Sequence, residues 1–241
     1  MNRRRRMILA TAVVVSLGGV VLAWGAWRLS KSRSYQLFGD LVTRVETTDS
    51  VVALTFDDGP VPRYTDSVLA ILADSSAPAT FFVVGSALAE HPDLARRVVQ
   101  AGHELGNHSY SHHALVFKTP TYVRHEIQNT DTLIRAAGQR GAIHFRPPYG
   151  KRLVILPWLL SRAARTTVLW DLEPDSYPAI GRDPARIRGP CADERPSGID
   201  HPIARGDPGA CTGPRRPADA DRGSSRPQLK RDPLDIQRRL T

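Results

Sequence analysis

The chain has 241 residues, with 33 Lys or Arg against 24 Asp or Glu and a formal net charge of +9. That length holds one domain of ordinary size with appendages. The charge sits at the ends: residues 1–33 carry seven basic side chains and no acid, and residues 188–241 carry eleven against eight acids, so the stretch between is net −1. A near-neutral centre offers no phosphate-binding surface, which excludes nucleic acid as the main partner.

Arg3 to Arg6 precede an uncharged run over 7–27 that is rich in Val, Leu and Ala. At about 1.5 Å per residue this run matches a hydrocarbon core of ~30 Å. The arginines favour a cytoplasmic N-terminus, and Arg28, Lys31 and Arg33 on the far side weaken that bias. We expect a cytoplasmic basic segment over 1–6, an uncleaved single-pass signal anchor over 7–27 and a polar tether over 28–48. A cleaved signal peptide is the alternative; the run is long for one, and the positions around Ala23 and Ala26 are poor cleavage sites. Either way the rest of the chain is exported: anchored on the extracytoplasmic side of the cell membrane, or secreted.

From residue 51 short apolar runs alternate with helical periodicity. The pattern predicts strands over 51–56, 79–84, 103–107, 142–146 and 166–172, and helices over 64–73, 94–100, 122–137 and 153–164. Strand–helix alternation predicts an α/β fold with a parallel sheet, open or closed into a barrel. In such folds chemistry gathers at the C-terminal ends of the strands. The polar clusters of this sequence fall there: Asp57-Asp58, then His108 and His112, then Arg146, then 171–175.

Thr55-Phe56-Asp57-Asp58-Gly59-Pro60 places two carboxylates at a strand end, where a Gly-Pro turn stops regular pairing. A turn can bring both acids to one site, where a cation would offset their repulsion. His108 and His112 with one carboxylate make a two-His, one-acid set, which leaves positions on a divalent metal open. His91, His103, His113, His125 and His144 have no comparable partners in the pattern and read as ordinary surface or core residues.

Four motifs in order over about 50–180 then resemble the polysaccharide deacetylases of carbohydrate esterase family 4, the NodB-homology domain. They are Thr55 to Pro60, His108-Ser109-Tyr110-Ser111-His112, Arg146-Pro147-Pro148-Tyr149 and Trp170-Asp171-Leu172-Glu173-Pro174-Asp175. The resemblance implies a distorted (β/α)-barrel over 49–187 and a hydrolase that removes acetyl groups from N-acetylated or O-acetylated sugar polymers. It implies Asp58, His108 and His112 as ligands of a divalent metal: zinc, with cobalt, nickel or manganese as chemically allowed alternatives. Asp57 would be the general base, paired with Arg146, and Asp175 would orient Arg146. The backbone N–H of Tyr149 would face the developing oxyanion, and Pro147, Tyr149 and Trp170 would line the substrate groove. The fourth motif departs from the family in lacking a Trp after its Asp; Ser176-Tyr177 follows instead.

A larger departure follows. The family's fifth motif, an apolar strand ending Leu-His, is absent. Residues 188–241 hold no Val, Phe, Tyr or Trp, but eight Pro and six Gly, a composition that predicts a disordered tail. A reading-frame slip near 183–188 accounts for both facts. Shifted by one base, the codons for 196–204 permit Arg-Pro-Gly-Ser-Ile-Ile-Leu-Leu-His. On that reading the catalytic domain is truncated, the leaving group lacks its proton donor, and Cys191 and Cys211 are products of the slip. The runner-up function is therefore a carbohydrate-binding pseudoenzyme. Peptidoglycan, chitin-like oligomers and O-acetyl xylan are all open as substrates, and the oligomeric state is not encoded legibly.

Overall fold

The computed structural model describes residues 2–45, 47 and 51–173. The expected tail over 188–241 lies outside the described residues. The described chain divides into two units, 1–43 with 55–169, and 44–54 with 170 onward.

The first unit opens with α1 (Arg3–Ser30), a helix of 28 residues that is long and apolar enough to cross a membrane. Its Met7, Leu17, Val21 and Leu22 side chains lie on the exposed surface. The helix overruns the expected span at both ends. The expected tether over 28–48 also carries structure: residues 28–30 are helical, and 41–42 form β1 (Leu41–Val42).

The remaining elements follow in chain order. They are β2 (Leu54–Asp57), α2 (Tyr64–Ser75), β3 (Ala79–Val83), α3 (Gly85–Glu90), α4 (Pro92–Gln100), β4 (Glu104–Asn107), α5 (Pro120–Ala136), α6 (Ile155–Arg162) and β5 (Thr167–Val168). Two helix starts follow from local chemistry. Pro92 and Pro120 occupy first turns, where a missing N–H is harmless. The Thr119 hydroxyl accepts from the Tyr122 N–H at 3.3 Å and so caps α5.

The strands pair in the order β2-β3-β4, with β1 beside β5. β3 and β4 are parallel, as are β1 and β5. Phe145 joins the two groups through parallel bridges to Asn107 and Thr167. The expected strand over 142–146 is thus reduced to one paired residue. Gly141, at φ +83°, precedes it, and Pro147, which has no N–H, follows it.

β3 is buried at all five positions, as expected of a central strand covered on both faces. Two apolar clusters flank the sheet. One joins Leu72, Phe81, Val83, Val98, Leu105 and Ile134; the other joins Leu115, Val123, Phe145, Leu156 and Leu160. α5 contributes Ile134 to the first and Val123 to the second, so its buried face joins the two clusters.

Candidate metal centre

The site begins where β2 stops. Asp58 adopts φ +68°, so the chain leaves the strand and the two neighbouring carboxylates no longer point apart. Val84 N–H donates to the Gly59 carbonyl at 2.9 Å and ties this turn to the end of β3.

The loop after β4 meets it. His108 N–H donates to the Val83 carbonyl at 3.0 Å. Ser109 and His112 have φ of +67° and +54°, so the loop is tightly coiled. Its internal donors are satisfied in turn: the Ser109 hydroxyl accepts from His112 N–H at 3.1 Å, and the Asn107 side-chain oxygen accepts from Ser109 N–H at 2.8 Å. The N–H groups of Gly85 and Ser86, at the start of α3, each donate to a loop carbonyl at 2.9 Å. Gly85 permits this approach, because a Cβ there would sit 2.5 Å from the Tyr110 ring.

Asp58, His108 and His112 converge. Their candidate ligand atoms all lie within 4.8 Å of one another. The Asp58 Oδ1 is 3.4 Å from His108 Nε2 and 3.1 Å from His112 Nε2. His108 is nearly buried, and its Nδ1 lies 2.7 Å from the Arg146 carbonyl oxygen. A carbonyl only accepts, so Nδ1 carries a proton and Nε2 faces Asp58, donating to it when protonated and offering its lone pair to a metal when not. That is the orientation a metal-binding imidazole needs. The donor set therefore fits a divalent cation.

The electrostatics agree. Hydrogen bonding to His108, together with the charges of His112 and His108, outweighs burial and holds the Asp58 carboxyl below its usual range. Burial, aided by His108, lowers the His112 pKa against the pull of Asp58 and Asp57. Both shifts favour the deprotonated, metal-binding forms.

Asp57 stands beside this set. Its Oδ1 receives Arg146 Nη1 at 2.6 Å, while its Oδ2 lies 4.0 Å from His108 Nε2. Arg146 is 2% exposed while Asp57 lies at the surface, so the pair is shielded on the arginine side only. The same guanidinium donates to the Thr55 hydroxyl at 2.9 Å and to the Val168 and Leu169 carbonyls, and it stacks on the Phe82 ring at 4.0 Å. Tyr149 completes the mouth: it has φ +58°, is 60% exposed, and its ring lies 4.9 Å from that of His112.

A polysaccharide deacetylase family model matches residues 44–168. The chain belongs to the polysaccharide deacetylase family. This deacetylase-family chain is 38% identical over 133 residues to a chitooligosaccharide deacetylase of Bradyrhizobium, covering 55% of this chain and 61% of that protein. It is 37% identical over 134 residues to the peptidoglycan-N-acetylmuramic acid deacetylase PdaC of Bacillus subtilis, covering 55% of this chain and 28% of that one. Among solved structures, the family 4 carbohydrate esterase of Streptomyces lividans in complex with acetate superposes with a TM-score of 0.53 at 32% identity, covering 60% of this chain and 73% of that chain. The fold is accordingly the distorted (β/α)-barrel of these deacetylases.

Of the residues singled out from the sequence, Asp57, Asp58, His108, His112, Arg146 and Tyr149 come together. Pro147 is buried and shapes the turn under Tyr149. Trp170 belongs to the second unit, where Arg44 pairs with Asp171 at 3.3 Å. Asp175 lies outside the described residues. Sequence reasoning missed Glu126. Its buried carboxylate accepts the N–H groups of Tyr110 and Ser111 at 3.0 and 2.8 Å and the Ser111 hydroxyl at 2.9 Å. It also missed Asn107, which is fully buried and also donates to Asp131 at 2.7 Å. An acid at a buried position of a predicted helix is the one signal that pointed to Glu126.

Proposed function

We propose that the chain is a metal-dependent hydrolase that removes acetyl groups from N-acetylated sugar polymers of the cell envelope. The observation that carries this reading is the convergence of Asp58, His108 and His112 beside Asp57, which the buried Arg146 holds. When bound, a divalent cation, zinc in the first instance, supplies Lewis acidity toward the acetyl carbonyl and lowers the pKa of the attacking water. Asp57 takes the proton from that water with Oδ2, the oxygen nearer His108, while Arg146 holds Oδ1. The backbone N–H of Tyr149 stabilises the charge on the carbonyl oxygen. The carbon–nitrogen bond then breaks to give acetate and a free amine, and the amine gains the proton that Asp57 took from the water. The apolar helix holds the enzyme to the membrane as an uncleaved anchor, with the catalytic part outside the cytoplasm.

Acetate release from N-acetylated chitooligosaccharide and from peptidoglycan tests this. Release that stops with a chelator and returns with zinc supports it. Release that ignores the chelator contradicts it.

A second reading is favoured by one feature, the missing Leu-His motif: the chain binds sugar polymer and turns it over slowly or not at all. Losing a general acid costs about 10²–10⁴ in rate. Resequencing the codons for 183–205 separates the two. A spurious base there restores the motif and the enzyme; a confirmed sequence leaves the pseudoenzyme.

A further inference from the structure

The apolar helix does not end in a loose tether. Ser30, its last residue, is 5% exposed, and its carbonyl accepts the backbone N–H of Arg152 at 3.0 Å. That carbonyl is one of the helix-end acceptors that lack an intrahelical donor. Arg152 itself is 1% exposed. Its guanidinium donates to the Gln36 side-chain oxygen at 3.1 Å, the Tyr35 carbonyl at 3.0 Å and the Gly150 carbonyl at 3.0 Å.

Gln36 passes the constraint on. Its amide nitrogen donates to the carbonyls of Phe38 and Asp40 at 2.8 and 3.0 Å. Gly39, at φ +70°, packs so closely on α6 that a Cβ there would lie 2.9 Å from the Ser161 Cβ. β1 then pairs with β5. The stretch from Ser30 to Val42 is thus held at Ser30, at Tyr35 and Gln36, at Gly39 and at β1.

The acceptors of Arg152 are neutral oxygens, and burial pulls its pKa down to about 10. A guanidinium is costly to bury on such partners, so its place here calls for a role. Gly150 and Arg152 belong to the loop that carries Tyr149. Two residues separate Tyr149 from Arg152, three steps along the chain and a span of at most about 11 Å.

We propose that Arg152 is a positioning residue that locks the segment leaving the apolar helix to the loop carrying Tyr149, and so holds the metal centre beside the helix's outer end. The inference rests on the membrane-anchored deacetylase reading above. Trp24 and Trp27 near that end stack with Arg28 and Lys31, at 5.6 and 4.2 Å, an arrangement suited to a membrane interface. The acetylated polymer within reach of the site is therefore the part lying against the bilayer face.

The test uses the full chain in lipid nanodiscs, comparing the parent with Arg152→Ala, Arg152→Lys and Gln36→Ala. Two quantities are read: the rate of tryptic cleavage after Lys31 and Arg33, and the affinity of the cobalt-loaded chain for acetate, followed by its visible spectrum. Arg152→Ala should raise cleavage by about tenfold and weaken acetate by about tenfold, with cobalt affinity unchanged. Arg152→Lys should fall between, because an ammonium cannot reach three acceptors at once. Gln36→Ala should raise cleavage by a smaller factor, and it decides the question if Arg152→Ala does not fold. Parental cleavage and acetate affinity in the variants would overturn the inference. So would loss of cobalt and acetate binding together, which marks a merely structural role. A parent that binds no cobalt sinks the deacetylase reading instead, and the cleavage arm still decides the clamp.

Discussion

The Nδ1–H of His108 donates to the main-chain carbonyl of Arg146 at 2.7 Å. The backbone of one residue thus orients an imidazole of the candidate metal-binding group while its side chain grips the neighbouring Asp57. The two halves of the site are built on one short stretch of chain, so disturbing Arg146 should be felt in both.

Arg146→Ala leaves the Asp57 carboxylate without its guanidinium and strips a donor from Thr55, Val168 and Leu169. Asp57 keeps its access to water, so the loss is that of charged hydrogen bonds, about 1.5–3 kcal/mol, and not that of a charge left buried and unpaired. The expected outcome is an unfolding free energy lowered by that amount, with little recovery in Arg146→Lys, which lacks the planar fork. Urea unfolding of the three chains checks it.

Glu126 governs the coil between the two histidines. Glu126→Ala leaves the Tyr110 and Ser111 N–H groups without their shared acceptor. Loss of support behind a ligand typically weakens metal binding about 10–100-fold. Zinc competition against a chromophoric chelator should show that loss, while Glu126→Gln, which keeps one acceptor oxygen, should lie between.

Gly106 is a space requirement. A Cβ there would meet the Phe82 ring at 2.5 Å, and that ring is the surface on which Arg146 stacks. Gly106→Ala should destabilise the fold by about 1–3 kcal/mol through overpacking. Thermal melts of the variant, alone and combined with Phe82→Leu, check this; the smaller side chain should restore part of the loss.

The pH dependence has a definite sign. Burial holds His103, His112 and His144 neutral below their ordinary value of 6.5, helped at His144 by Arg165. In the unfolded chain they titrate near 6.5, so just below that pH the unfolded state binds more protons. Stability of the metal-free chain should therefore be full above 6.5 and fall as pH drops through the lowered folded values. Asp58 extends the loss to more acid conditions, since its carboxyl is held below 3.8. Denaturation midpoints across this range give the slope, and His144→Gln should flatten it.

The strand-end acids, the two histidines and Arg146 were legible because each is a residue type with few other reasons to occupy its place. Asp57-Asp58 at a Gly-Pro turn is such a case. What stayed hidden was held by tertiary contact. Gly85 marked a strand's end in the sequence, yet it opens α3 because its missing side chain admits Tyr110. Leu41 and Val42 sit in a polar stretch and form a strand only because β5 lies beside them. Phe145 keeps one bridge to each neighbour where periodicity predicted a full strand. Glu126 and Arg152 are ordinary charged residues until their burial is seen.

Metal stoichiometry and affinity measured on the full chain go to the heart of the matter. We expect one zinc or cobalt ion per chain, with a cobalt visible spectrum of low symmetry, and binding lost in Asp58→Ala, His108→Ala and His112→Ala alike. A chain that binds no divalent ion, or one whose binding survives all three substitutions, would contradict the assignment of these residues as the metal centre of a deacetylase.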